Sequence, residues 1–109
     1  MIGVVGVGYV GLTTGACLSH LGYTVVCGDV DEEKINRLRK GEISIVEEGL
    51  TEIVNEGITA GRLEFVVGAT EVGKRSDIVF LCVPTPQDRD GSADLSFIEA
   101  ASSEIGPVL

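Results

Sequence analysis

The N-terminal stretch Met1-Ile2-Gly3-Val4-Val5-Gly6-Val7-Gly8-Tyr9-Val10-Gly11 runs on through LTTGACLSHLG to Tyr23-Thr24-Val25-Val26-Cys27-Gly28-Asp29. An apolar run of strand type leads into a G-x-G-x-x-G turn at Gly6, Gly8 and Gly11. A helix-like segment follows, then a second β-branched run that ends on an acid 18 residues beyond Gly11. G-x-G-x-x-G alone carries little information. Placed between a strand and a helix, with an acid at the end of the next strand, it is the fingerprint of a dinucleotide-binding βαβ unit. Each glycine has its own task there. Gly6 makes the tight turn, Gly8 lets a pyrophosphate approach the backbone, and Gly11 allows close packing of helix on sheet. The helix N-terminus aims free N–H groups and a partial positive charge at the phosphates, with Tyr9 and Val10 lining the turn. Asp29 is placed to accept hydrogen bonds from both ribose hydroxyls. The residues after it are Val30, Asp31 and Glu32, with no Arg to hold a 2′-phosphate, so the expected cofactor is NAD and not NADP.

Beyond that unit the chain keeps alternating. Asp31 is placed to cap a helix reaching about Lys40, with Ile35 and Leu38 at helical spacing and Gly41 at its end. Residues 42–48 read as irregular. Gly49 to Thr59 reads as a helix with Leu50, Ile53 and Val54 as its apolar stripe, and Leu63–Val67 as a strand. Thr70–Arg75 is a short helix and Ile78–Val83 an apolar fourth strand, ended by Pro84-Thr85-Pro86. A polar loop, Gln87–Ala93, precedes a helix capped by Asp94 that runs to about Ile105, where Gly106-Pro107 breaks it. Val108-Leu109 reads as the start of another strand. The alternation predicts an α/β fold with a doubly wound parallel sheet, a Rossmann-type domain spanning residues 1–109 and interrupted before its last strands. If such a piece folds alone, its fourth strand is a sheet edge.

The bulk properties bound what the chain does. Its 109 residues allow one domain at most, burying roughly 65% of the surface of the unfolded chain. A formal net charge of −9 argues against nucleic acid or an anionic membrane as partners. A phosphate must therefore be held by backbone N–H groups and not by a basic surface. No run reaches the length of a membrane span, and no basic leader precedes the first strand. Cys17, Cys27 and Cys82 each sit in an apolar segment and read as buried free thiols, which fits a cytoplasmic, reducing location. His20, the single histidine, lies late in the first helix, away from the strand ends where ligands bind. No spacing suggests metal ligands or a nucleophile–base pair. Lys34 is placed near the adenosine ribose, though a lone helix lysine is commonly solvated.

Six segments in order resemble the N-terminal domain of the UDP-glucose/GDP-mannose dehydrogenase family: GVGYVGL (6–12), CGDVDEEKI (27–35), SIVEEGL (44–50), GRLEF (61–65), SDIVFLCVPTP (76–86) and DGSADLSFIEAA (90–101). The resemblance covers essentially the whole chain. It implies oxidation of a nucleotide sugar at C6 to a carboxylate with two NAD, UDP-glucose being the first expected substrate and GDP-mannose or a UDP-N-acetyl sugar the alternatives. It makes Tyr9, Val10, Asp29, Lys34 and Thr85 cofactor contacts by motif match. The family commonly has prolines where Ser44 and Glu48 stand here, which bears on loop conformation. Its catalytic cysteine, lysine and Ser-Thr-containing strand fall beyond residue 109, and none of the three cysteines here matches the catalytic motif. The chain is thus expected to hold cofactor and no catalytic residue, with the nucleotide sugar bound by downstream parts and a homo-oligomer as the full-length form. Another NAD-dependent dehydrogenase, or a non-catalytic NAD-sensing domain, stands as the competing reading.

Overall fold

The computed structural model describes residues 1–44, 47–84, 91, 92 and 94–108. Among these residues four strands form one parallel sheet: β1 (Ile2–Val5), β2 (Val25–Asp29), β3 (Leu63–Val67) and β4 (Ile78–Leu81), in the spatial order β3-β2-β1-β4. The helices are α1 (Tyr9–His20), α2 (Glu32–Arg39), α3 (Leu50–Thr59), α4 (Thr70–Arg75) and α5 (Ser96–Ile105). A 3₁₀ turn, Gly106–Val108, follows α5.

The strands carry two apolar faces, as a sheet covered on both sides requires. Val4, Val25, Cys27, Leu63 and Phe65 pack with Leu12 and Ala16 of α1, Ile35 and Leu38 of α2, and Leu50 and Val54 of α3. On the other face Val5, Val26 and Val66 pack with Val72 of α4 and with Ala101 and Ile105 of α5. Alternate residues of one strand enter opposite cores, which is the period of two expected of extended chain. Helices α1, α2 and α3 end alike. At Gly22, Gly41 and Gly61 the backbone turns to positive φ, and paired N–H donations run back into the last helical turn, as in Tyr23 N–H to Leu18 C=O and Gly22 N–H to Ser19 C=O.

The doubly wound parallel sheet agrees with the sequence reading, and so does the succession of elements. Asp31 caps α2 by accepting from the Lys34 N–H at 3.1 Å. Five details differ. Strand β2 begins at Val25, not Tyr23, and β4 ends at Leu81, although the Cys82 N–H still donates to Val5 C=O. Helix α5 starts at Ser96, and Asp94 lies one residue outside its cap position while still accepting from the Ser96 N–H at 2.9 Å. Val108 belongs to the 3₁₀ turn and not to a strand, because Gly106 and Pro107 tighten the helix end without releasing the chain into extended form; Leu109 lies outside the described residues. Cys27 is buried and Cys82 half-buried, but Cys17 is exposed. It falls off the stripe Gly11, Leu12, Gly15, Ala16 and Ser19 by which α1 meets the sheet.

β4 is apolar in composition yet open to solvent, with Ile78 60% exposed and Phe80 and Leu81 also exposed. Among the described residues only β1 pairs with it, so it forms one edge of the sheet.

Candidate functional site

The strand order reverses between β1 and β4: β2 and β3 extend the sheet to one side of β1, and β4 lies on the other. In an open α/β sheet this switch point leaves a crevice beyond the carboxyl ends of the strands. The structure has a cleft of about 570 Å³ there. Val5 and Gly6 reach it from β1, Cys82, Val83 and Pro84 from β4, and Asp29 and Val30 from β2. Because α1 and α5 cover opposite sheet faces, the start of α1 and one side of α5 form its two flanks.

The glycine turn is built from contacts that exclude side chains. Gly6 has φ +97°, and a Cβ on it would meet the Cys82 carbonyl oxygen at 2.6 Å. A Cβ on Gly11 would collide with the Gly6 carbonyl oxygen. Gly11 therefore serves first to lay the opening turn of α1 on the loop's own backbone; the sequence reading had given it the packing of helix on sheet. A Cβ on Gly8 meets nothing within 4 Å, since it points into open space. Gly8 is the N-cap of α1, and among the described residues no side chain caps that helix. The first intrahelical donation is from Leu12 to the Gly8 carbonyl. The N–H groups ahead of Leu12 are thus left at the cleft without an intrahelical acceptor, and the helix dipole adds positive potential there.

Asp29 ends β2 and ties two loops together. Its Oδ2 accepts from the Val7 N–H at 3.0 Å and its Oδ1 from the Asp31 N–H at 3.0 Å. A carboxylate has about four acceptor positions, so each oxygen keeps one for a further donor. Lys34, in the first turn of α2, also lines the cleft. Tyr9 lines it with an exposed ring and donates to the Glu47 carboxylate; that hydrogen bond, followed by the charge of Glu47, raises its phenol above the usual 10.0. Val10 is exposed beside it.

Of the residues singled out in the sequence, the cleft brings together Gly6, Gly8, Tyr9, Val10, Asp29 and Lys34, with Gly11 lying beneath the turn. Thr85 lies outside the described residues; Pro84 before it lines the cleft. His20 stands at the far end of α1, with Nδ1 3.6 Å from Glu56 Oε1. Cys82 faces the cleft as a half-buried thiol raised above its ordinary value by burial, and Cys27 behind the turn is pushed up to about 12, by burial first and by Cys82 second. Neither favours the thiolate a nucleophile needs.

Sequence reasoning missed the flank formed by α5. Phe97, Ala101 and Glu104 line the cleft at i, i+4 and i+7 spacing, facing Val30 and the Gly68-Ala69 turn. Glu104 Oε1 accepts from the Ala69 N–H at 3.2 Å, the Thr70 N–H at 3.2 Å and the Thr70 hydroxyl at 2.8 Å. The helical spacing of these three was visible in the sequence, but nothing in it showed which face of α5 would turn to the ligand edge.

Residues 1–109 match the model of the UDP-glucose/GDP-mannose dehydrogenase family, NAD binding domain. A UDP-glucose 6-dehydrogenase of Rhizobium meliloti is 47% identical over 105 residues, covering 95% of this chain and 24% of that enzyme. A GDP-mannose 6-dehydrogenase of Pseudomonas syringae pv. syringae is 38% identical over 108 residues, covering 99% of this chain and 25% of that enzyme. The solved structure of a UDP-glucose dehydrogenase from Pyrobaculum islandicum superposes with a TM-score of 0.92 at 40% identity, over 96% of this chain and 24% of that one. The chain thus spans about a quarter of the length of the relatives it matches. Fold, glycine turn and family model agree: the chain belongs to the UDP-glucose/GDP-mannose dehydrogenase family, as its NAD-binding domain.

Proposed function

We propose that the chain is the part of a UDP-glucose 6-dehydrogenase that holds NAD and presents it to the nucleotide sugar, in an enzyme that oxidises UDP-glucose to UDP-glucuronate with two NAD. The observation that carries this reading is the cleft at the switch point. Open space at Gly8 lies beside N–H groups of α1 that have no intrahelical acceptor, and a carboxylate with acceptor capacity to spare stands at Asp29 in the same cleft.

In this reading Gly6, Gly8 and Gly11 form the cradle for the pyrophosphate, whose charge is met by backbone N–H groups and the α1 dipole. Asp29 accepts from the adenosine ribose hydroxyls and repels a 2′-phosphate. Tyr9 and Val10 cover the turn, Lys34 approaches the ribose from α2, and Thr85 is a further cofactor contact by motif match. Bound NAD supplies the hydride acceptor; this chain supplies its position. UDP-glucose is favoured over GDP-mannose by the identities, 47% against 38% over nearly the same residues. The nucleotide sugar as partner, the homo-oligomeric full-length enzyme and a cytoplasmic location belong to the same reading; the three cysteines, all free, fit the last.

The test uses the full-length protein with NAD and UDP-glucose, GDP-mannose or UDP-N-acetylglucosamine in turn, counting NADH formed per sugar consumed. The expected result is two NADH per UDP-glucose and little turnover of the others. Turnover confined to GDP-mannose would move the substrate and leave the class intact. Tight NADH binding with no turnover of any sugar would overturn the dehydrogenase reading.

A further inference from the structure

The site so far rests on the β1–α1–β2 half of the molecule, yet α5 forms a whole flank of the cleft. What fixes α5 there is limited. Ala101 and Ile105 anchor it in the core beside Val5, Val26 and Val72. At its outer end Phe97 stands 46% exposed at the cleft. The one polar clasp among the described residues between α5 and the strand-end loops is the Glu104 carboxylate, which gathers two N–H groups and a hydroxyl from the turn between β3 and α4. Phe97, Ala101 and Glu104 lie on one stripe of the helix, so a rotation of α5 that frees Glu104 also turns Phe97 and Ala101 out of the cleft.

The flank that Phe97 and Ala101 form is apolar and lines the same cleft as Asp29 and Val30. A flat base attached to a ribose at Asp29 would lie between these surfaces, where stacking on an exposed aromatic ring is favourable.

We propose that Glu104 is a positioning residue for dinucleotide binding: by clasping Ala69 and Thr70 it fixes α5 so that Phe97 and Ala101 form the wall against which the adenine of NAD lies. This rests on the NAD site proposed above. Glu104 acts through α5 and need not touch the pyrophosphate or the nicotinamide.

The experiment is a double-mutant cycle in the full-length enzyme, read by NADH titration and by steady-state kinetics. Glu104→Ala removes an acceptor of three hydrogen bonds and is expected to weaken NADH binding about tenfold. Phe97→Ala is expected to do about the same, and the double variant to be no weaker than the worse single, since both disable one wall. KM for NAD rises accordingly, while kcat at saturating NAD and KM for the nucleotide sugar stay as in the wild type. Glu104→Gln keeps an acceptor oxygen and restores most of the affinity. Thr70→Val, a milder loss of one donor, gives a smaller shift in the same direction and serves if Glu104→Ala does not fold. Additive losses in the cycle, a fall in kcat with KM for NAD unchanged, or unchanged NADH affinity in both Glu104→Ala and Thr70→Val would each overturn the inference while leaving the NAD site standing. A wild type that binds no NADH would overturn the NAD site itself, and this inference with it.

Discussion

On the β1–α1 side of the cleft the backbone leaves no space for side chains at Gly6 and Gly11: α1 rests on the Gly6 carbonyl, and Gly6 rests against Cys82. On the α5 side the same cleft is bounded by side chains, with Phe97 half in solvent and Glu104 holding the helix to the β3–α4 turn. One flank is set by covalent geometry and close packing, the other by a few hydrogen bonds. The first has a single arrangement; the second is adjustable by substitution. That difference predicts which residues govern folding and which govern only affinity. Gly11→Ala should have the largest effect. A methyl there meets backbone, which cannot move cheaply, so the cost is about 3 kcal/mol or more, at the upper end of overpacking penalties. Against a domain stability of about 5–15 kcal/mol this is a large fraction, and the denaturant midpoint should drop accordingly. A midpoint within error of the wild type would show that the first flank is as adaptable as the second.

Asp29 stands between the flanks, and its loss should come next. Asp29→Ala strips the acceptor from the Val7 N–H, which is partly buried, and from the Asp31 N–H. Leaving such donors unsatisfied costs about 1–3 kcal/mol each when buried, and the exposure of the Asp31 N–H brings the sum to about 2 kcal/mol. The same variant should narrow the preference for NADH over NADPH, because the repulsion of a 2′-phosphate goes with the carboxylate. Titration of both reduced cofactors checks this; an unchanged ratio would remove Asp29 from the selection of cofactor.

Gly8→Ala separates the two kinds of control within one turn. Gly8 has φ −70° and an empty surrounding, so alanine fits without strain. Stability should change by less than about 0.5 kcal/mol, as for an ordinary surface substitution. NADH affinity should fall at least about tenfold, because the new methyl occupies the approach of the pyrophosphate. A thermal melt and a fluorescence titration on one sample suffice. Loss of stability without loss of affinity would reverse the assignment of Gly8 and Gly11.

The contrast also explains what could be read from the sequence. The first flank was legible because its constraints are local: a turn that tolerates only glycine, a helix starting at once after it, an acid closing the next strand. The caps at Asp31, Gly22 and Gly41 were legible for the same reason. The second flank was not, since Glu104 finds its partners 34 and 35 residues back along the chain, at Thr70 and Ala69. Its pairing depends on the crossing of α5 over the sheet, which no local pattern specifies. β4 was legible as well: its apolar run, Ile78–Leu81, reads as the fourth strand and an edge of the sheet, and among the described residues only β1 pairs with it. Cys17 failed on periodicity: an apolar segment does not say which third of a helix meets the sheet.

The smallest predicted effect tests whether acidic side chains matter by location or by charge alone. Glu104 and Glu64 both have carboxyls held below the ordinary 4.5, Glu104 by the Thr70 hydroxyl first and Glu64 by the Arg75 guanidinium, which it meets in a two-point ion pair. For each group the folded value lies below the unfolded one. The stabilisation is therefore fully present above about pH 4.5 and is lost as pH falls through the lowered folded value. Glu64 is an exposed residue of β3 that does not line the cleft, with its side chain 56% exposed, so solvent screening holds its share to about 0.5 kcal/mol or less. Glu64→Gln should flatten the acid limb of the stability curve slightly and leave NADH affinity untouched at every pH. Glu104→Gln should flatten it as well, but should also remove the loss of NADH affinity that the wild type shows as pH falls below about 4.5. Equal behaviour of the two variants toward NADH would mean that a depressed carboxyl anywhere on the domain has the same effect, and the α5 flank would lose its special standing.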